Sequence, residues 1–264
     1  DIKRSKYKDA FKLTTNIIDH KAKQVCSDSR WSGLIDWKGD KYLLFVDDTN
    51  FHKLEHSDKA VIVMAGDAEL IGYWKKWWQN PDLDRLPDVT LEDNREIVIT
   101  IVHKKDNRVI FDIGSKHAMY DSEQEINTAI FAGSGGIHAA NFWGIVPCAI
   151  RAVESAAEHD PFTGGNVMYV DYNIDKSNLT DESNNVQEIN NALVERGMIM
   201  KVEIKDSVTS VAIPIAEHEA HTEIVQSISS GQINPSAPVS TIRKAEWTDE
   251  RKEKLAEAIR LVFP

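Results

Sequence analysis

The 264 residues carry 42 acidic against 31 basic side chains, a net charge of −11, and 42% of them are hydrophobic. That composition supports a buried core in one large domain or two small ones. Its acidity disfavours a phosphate backbone, so nucleic acid is not an expected partner. There is no uninterrupted apolar run of the roughly 18 residues that a bilayer demands, and the opening Asp1–Lys8 lacks the apolar centre of a secretory signal; the expected location is the cytoplasm, with no membrane partner. Cys26 and Cys148, the two cysteines, supply neither a disulfide framework nor a four-ligand zinc pattern and are expected to be buried free thiols.

In chain order, residues 1–13 hold a basic cluster, Lys3, Arg4, Lys6, Lys8 and Lys12, and read as an amino-terminal arm or leader. Thr14–Arg30 reads as a strand, a polar turn near His20–Lys23 and a second strand, a hairpin whose open end brings Thr14 beside Asp28. Trp31–Asp40 carries turn residues and is expected to be a loop, with a buried strand over Lys41–Asp48. The β-branched run Lys59–Asp67 predicts a strand that passes through Gly66 into a helix from Ala68 to Trp78. Trp74, Trp77 and Trp78 on that helix suit core or a subunit contact.

Glu96–Val102 and Arg108–Ile113 predict a hairpin. Thr128–Ala132 predicts a strand that enters Gly133-Ser134-Gly135-Gly136 and then a helix, a second junction of strand, glycine and helix. Neither glycine stretch ends in the Lys-Ser/Thr of a phosphate-binding loop, so no nucleotide cofactor is expected. A helix over Pro147–Glu158 ends at Asp160-Pro161-Phe162-Thr163-Gly164-Gly165, and a strand resumes over Asn166–Tyr172. A helix over Asn185–Arg196 and strands over Met198–Ile204 and Ser207–Ile215 close a domain of residues 14–215. In the remaining 216–264, His218-Glu219-Ala220-His221 has the wrong spacing for a zinc helix and reads as surface polarity, so no metal is expected. Residues 229–240 read as a linker and Thr248–Val262 as a terminal helix; Asn178-Leu179-Thr180 is a glycosylation sequon without meaning in the cytoplasm.

The order Thr14-Thr15, Ser27-Asp28-Ser29-Arg30, Lys53, Ala65-Gly66-Asp67, Gly133-Ser134-Gly135-Gly136 and Asp160-Pro161-Phe162-Thr163-Gly164-Gly165 resembles the proteasome β-subunit family, with its simpler bacterial and phage-borne relatives, over about residues 14–172. The resemblance implies an α+β fold, a four-layer αββα sandwich with two antiparallel sheets between helix layers. It implies a threonine-type amino-terminal nucleophile hydrolase, a peptidase or amidase without cofactor. Such a chain is expected to assemble with itself into a homo-oligomer, to take a peptide or protein substrate, and to leave open an ATPase partner. The alternative is a catalytically silent binding or assembly protein that keeps its arm, with the tryptophans in an interface.

Carried over by the resemblance, Thr14 would attack a carbonyl and its own α-amino group, near neutral in pKa, would relay the proton. Lys53 would lie beside Thr14 with Asp28 holding it; Asp160, Ser134 and Thr163 would orient the amine, and the Gly66 N–H would stabilise the oxyanion. Three features depart from the family. Leu13 precedes Thr14 where family leaders end in Gly, and the helical hairpin between Ser134 and Asp160 is short. Asp28 and Lys53 are 25 positions apart, so an insertion around Lys38–Asp48 is expected to loop out, and Lys38 or Lys41 could take the place of Lys53.

Overall fold

The computed structural model describes residues 3–4, 14–92, 95–179, 183–202, 211–237 and 245–263. Lys6, Lys8 and Lys12 of the basic cluster, Thr180 of the sequon, residues 203–210 of the closing strand pair and residues 238–240 of the expected linker lie outside the described residues.

The chain begins with β1 (Lys3–Arg4), β2 (Asn16–Asp19), β3 (Gln24–Ser27), β4 (Trp31–Trp37) and β5 (Asp40–Val46). After β6 (Leu54–His56), β7 (Ala60–Asp67) feeds α1 (Ala68–Gln79). Next come β8 (Ile97–His103), β9 (Arg108–Ile113), β10 (His117–Asp121) and β11 (Ile126–Ala132), which enters α2 (Gly136–Ile145) and α3 (Ala149–His159). The remainder is β12 (Met168–Asp171), β13 (Lys176–Ser177), α4 (Gln187–Arg196), β14 (Met198–Lys201), β15 (Ile213–Pro214), α5 (His221–Ser229), β16 (Ser236–Ala237) and α6 (Asp249–Val262).

Two antiparallel sheets make this an α+β protein. The first runs β15-β14-β5-β4-β16-β7-β8-β9, with β1 added to β4 and β6 to β7; the second runs β10-β11-β2-β3-β12-β13. Period-2 alternation sends successive side chains of β7 to opposite faces. Ile62 and Met64 join a core with Trp74 of α1, Leu193 of α4, Ile224 of α5 and Leu255 of α6. Val61 and Val63 instead meet Ile18, Val25 and Val170 of the second sheet. On the far side of β2 and β3, Ile17 and Cys26 pack with Trp143 of α2 and Val153 of α3. β7 is therefore buried along its whole length, and it reads in sequence as a continuous apolar run.

Several expectations change. Trp31–Trp37 is a strand rather than a loop, in continuous register with β5 from Trp31↔Val46 to Trp37↔Asp40. The turn is confined to Lys38 and Gly39, both at positive φ (51° and 87°), the two-residue form that suits a hairpin's twist. The region around Lys38–Asp48 is thus sheet, not a looped-out insertion. The tryptophans of α1 serve the fold within one chain: Trp74 stacks on Trp247 and Trp78 meets Phe263 edge-on. His218 is half-buried between the rings of Trp37 and Tyr42, and its Nδ1 accepts the Ala220 N–H. Cys26 is a buried free thiol, whereas Cys148 is half-buried. Within the expected linker, Ser236–Ala237 form β16.

Candidate active site

The hairpin closes as its turn residues dictate, with Asn16 opposite Ser27 and Asp19 opposite Gln24. One step beyond the ladder, the Asp28 N–H donates to the Thr15 carbonyl. The Asp28 carboxylate then turns back over the start of the chain. Its Oδ1 accepts from the Thr14 hydroxyl (2.5 Å), the Thr15 N–H (2.9 Å) and the Lys53 ammonium (2.9 Å). Its Oδ2 accepts from the N–H groups of Arg30 (3.1 Å) and Gly164 (3.3 Å). Five donors on one carboxylate fix its orientation.

Lys53 completes the corner by donating to Thr14 Oγ1 at 2.7 Å. Its backbone is pinned by the Met64 N–H on the Lys53 carbonyl (2.8 Å). The Trp31 ring lies over the ammonium, its centroid 5.4 Å from Lys53 Nζ, and Phe51 packs edge-on against Trp31 at 5.4 Å. Burial pushes the Lys53 pKa down, and Asp28 opposes that shift without cancelling it. Such a lysine readily releases or accepts a proton, and it sits against a hydroxyl. Removing one partner of a buried charge pair leaves the other uncompensated, at about 3–5 kcal/mol. The other candidate lysines are engaged elsewhere, Lys41 with Asp36 and Lys38 with Glu219. Thr14, Asp28 and Lys53 are at most 1% exposed, so the corner is closed to solvent.

A second polar chain lies behind the first. Asp160 closes α3, and its Oδ2 accepts from the hydroxyls of Thr163 (2.6 Å) and Ser134 (2.8 Å), its Oδ1 from the Phe162 N–H (3.2 Å). Burial raises the Asp160 pKa, and those hydrogen bonds oppose the rise. Thr163 Oγ1 continues to Thr15 Oγ1 at 2.8 Å. The triad expected to orient the Thr14 amine therefore reaches the hydroxyl of Thr15, the neighbour that sequence reasoning passed over despite the Thr-Thr pair. The Thr14 nitrogen is an amide while Leu13 is attached.

Glycines make these contacts possible. A Cβ on Gly133, at φ +86°, would lie 1.8 Å from the Thr14 carbonyl oxygen, and one on Gly135 would lie 2.0 Å from Thr15 Oγ1. The Gly164-Gly165 pair accommodates Ser29-Arg30: a Cβ on Gly164 would strike the guanidinium at 2.4 Å and one on Gly165 the Ser29 hydroxyl at 2.2 Å. Arg30 is itself held by Asp47 through two hydrogen bonds of 2.8 Å and by the Pro161 carbonyl.

Gly66 lies on β7, two residues past Met64, whose carbonyl accepts from the Asn16 side chain at 3.0 Å. That bond ties β2 to β7. Gly66 has φ +124°, and a Cβ there would meet the Glu96 carbonyl at 2.2 Å. A separate cavity of about 450 Å³ opens between residues 48–52, α3 and the start of β12, with Thr49, Glu154, Asn166 and Tyr169 among its walls. It contains none of Thr14, Asp28 and Lys53. Among the described residues no group of three or more His, Cys, Asp or Glu is placed to hold a metal, and no helix is long and apolar enough to cross a membrane.

No family model matches the chain, and no curated protein matches it. Its fold is similar to a solved structure, Thiobacillus denitrificans BPH in complex with epoxomicin. The match covers 59% of this chain and 96% of that one at 16% identity, with a TM-score of 0.37. A likeness so distant carries no chemistry across, and the site rests on the chain's own geometry.

Proposed function

We propose that the chain is a threonine-type amino-terminal nucleophile hydrolase of the proteasome β-subunit kind, a peptidase or amidase that becomes competent when the Leu13–Thr14 bond is cut. The observation that carries the reading is the buried Thr14–Lys53–Asp28 corner, with Lys53 Nζ 2.7 Å from the threonine hydroxyl and 2.9 Å from the carboxylate. Cleavage before Thr14 gives that residue a free amine, the base that a threonine hydroxyl needs. Thr14 Oγ1 then attacks a peptide carbonyl, the amine takes its proton and passes it to the leaving nitrogen, and water hydrolyses the ester. Lys53 supplies positive charge beside the forming bond, and Gly66 is the proposed N–H donor to the oxyanion.

Three of the hydrophobic clusters, one between the sheets and one on each outer face, support the four-layer αββα order. The exposed Ile137 and Ile145 of α2 offer apolar surface for a homo-oligomer. A second reading, a silent binding or assembly protein, is favoured by the complete burial of Thr14. The two separate on chains beginning at Thr14 and at Asp1, assayed for amide and peptide hydrolysis. Hydrolysis by the Thr14-initiated chain, abolished by Thr14→Ala, supports the hydrolase; equal rates with and without the substitution overturn it.

A further inference from the structure

The cavity of about 450 Å³ is separate from the Thr14 corner, and the chemistry proposed above makes no use of it. Its size falls in the range of small-molecule sites, about 300–1,000 Å³. Three segments build most of it: residues 48–52 between β5 and β6, the α3 pair Ile150 and Glu154, and the chain from Asn166 into β12. Ile150 and Glu154 are four residues apart, so they share one face of the helix.

Asp48 takes a positive φ of 56°, a conformation that aspartate tolerates better than most residues. Its carboxylate is fixed through one oxygen. Oδ1 accepts from the Ser29 hydroxyl (2.6 Å) and the Asn166 N–H (2.7 Å), whereas Oδ2 enters neither bond and keeps its accepting capacity. Thr49, the next residue, is only 4% exposed, and its Oγ1 is buried without a hydrogen-bond partner among the described residues. Folding rarely leaves a buried hydroxyl in that state, and one on a cavity wall marks a place for a group from outside the chain.

Charge on the walls is of one sign. Asp48 and Glu154 supply carboxylates, and none of the described residues lining the cavity is a lysine or an arginine. An anionic ligand would therefore meet like charge and no counter-charge. Ile150 and Val167 add aliphatic surface, and Tyr169 adds an aromatic ring, whose face attracts a cation. Acceptors for ammonium groups and an apolar wall for a short carbon chain thus stand in one cavity.

We propose that this cavity binds a short aliphatic diamine, with one ammonium held by Asp48 Oδ2 and the Thr49 hydroxyl and the other drawn to Glu154. The inference is independent of the hydrolase reading, since it uses none of the residues assigned to catalysis.

The test is calorimetric titration of the full-length chain with 1,4-diaminobutane and, separately, with 1,4-butanediol, which has the same carbon chain without charge. Three variants locate the site. Asp48→Asn keeps an oxygen for Ser29 and Asn166 but can set an amide donor where Oδ2 stood; Thr49→Val keeps the shape and removes the hydroxyl; Glu154→Gln removes charge at an exposed helix position. The diamine is expected to bind the unaltered chain with a Kd of about 1 mM or tighter, and the diol at least about tenfold more weakly. Asp48→Asn and Glu154→Gln should each weaken the diamine by about tenfold or more, and Thr49→Val by about threefold or more. Absence of diamine binding overturns the proposal, because the cavity then holds only solvent. Equal affinity for diol and diamine overturns it too. So does unchanged affinity in the folded variants, since the diamine would then sit elsewhere on an acidic surface; should Asp48→Asn fail to fold, Glu154→Gln decides.

Discussion

The protein has two junctions where a strand passes through glycine into a helix, and they do different work. At β7–α1, Gly66 keeps main-chain pairing close to β8 and β16, and Asp67 caps the helix by accepting from the N–H groups of Glu69 and Leu70. Arg95 ties that cap down through Asp67 and Glu69. At β11–α2 no side chain caps the helix, and the glycines instead let the Thr14 carbonyl and the Thr15 hydroxyl approach within contact of the backbone. The first junction anchors the start of α1; the second holds the Thr14–Thr15 start of the hairpin. Glycine punctuation in a sequence marks both alike, and only the identity of what approaches tells them apart.

The sharpest way to break this comparison is Gly133→Ala. With positive φ and a Cβ meeting backbone at 1.8 Å, the substitution is expected to destabilise by about 3 kcal/mol or more, since the Thr14 strand must move. Denaturant unfolding measures it, and a loss below about 1 kcal/mol would show that the junction does not grip Thr14. Asp67→Ala should cost less, about 1–2 kcal/mol for the lost cap, and leave the Thr14–Lys53–Asp28 corner intact; hydrogen exchange in the first turn of α1 locates the change.

The smallest effect belongs to Asp160→Asn. Because burial raises the Asp160 pKa, the folded chain holds that proton over a window just above the ordinary carboxylate range while the unfolded chain releases it. Stability from Asp160 is therefore present at lower pH and lost as pH rises through the folded value. The thermal midpoint of the unaltered chain minus that of the variant should fall across that window and then level off; a rise would contradict the assignment.

Much of the site was legible. The hairpin announced itself by alternation and a polar turn, and it brought Asp28 over Thr14. The Asp160–Gly165 motif proved to be two fittings, carboxylate and hydroxyl towards Thr15, glycines towards Ser29-Arg30. What escaped had no periodic signal. β16 is two small residues between prolines, which by composition is a linker, and β10 is mostly exposed, so it lacks the apolar alternation that marks a strand. β4 was hidden by Ser32, Gly33 and Asp36, turn residues that the pairing with β5 overrides. The choice of Lys53 over Lys38 and Lys41 needed tertiary contact, because spacing alone could not bring a lysine to Thr14.

The central claim is that Thr14 is a nucleophile whose base is its own amine. The direct measurement is the intact mass of chains beginning at Thr14 and at Asp1 after exposure to an excess of a peptide vinyl sulfone, with the adduct mapped by fragmentation. One adduct on Thr14 in the Thr14-initiated chain, absent from the Asp1-initiated chain and from Thr14→Ala, is the expected result. Equal labelling with Leu13 attached, or no adduct on a freed Thr14, would contradict it.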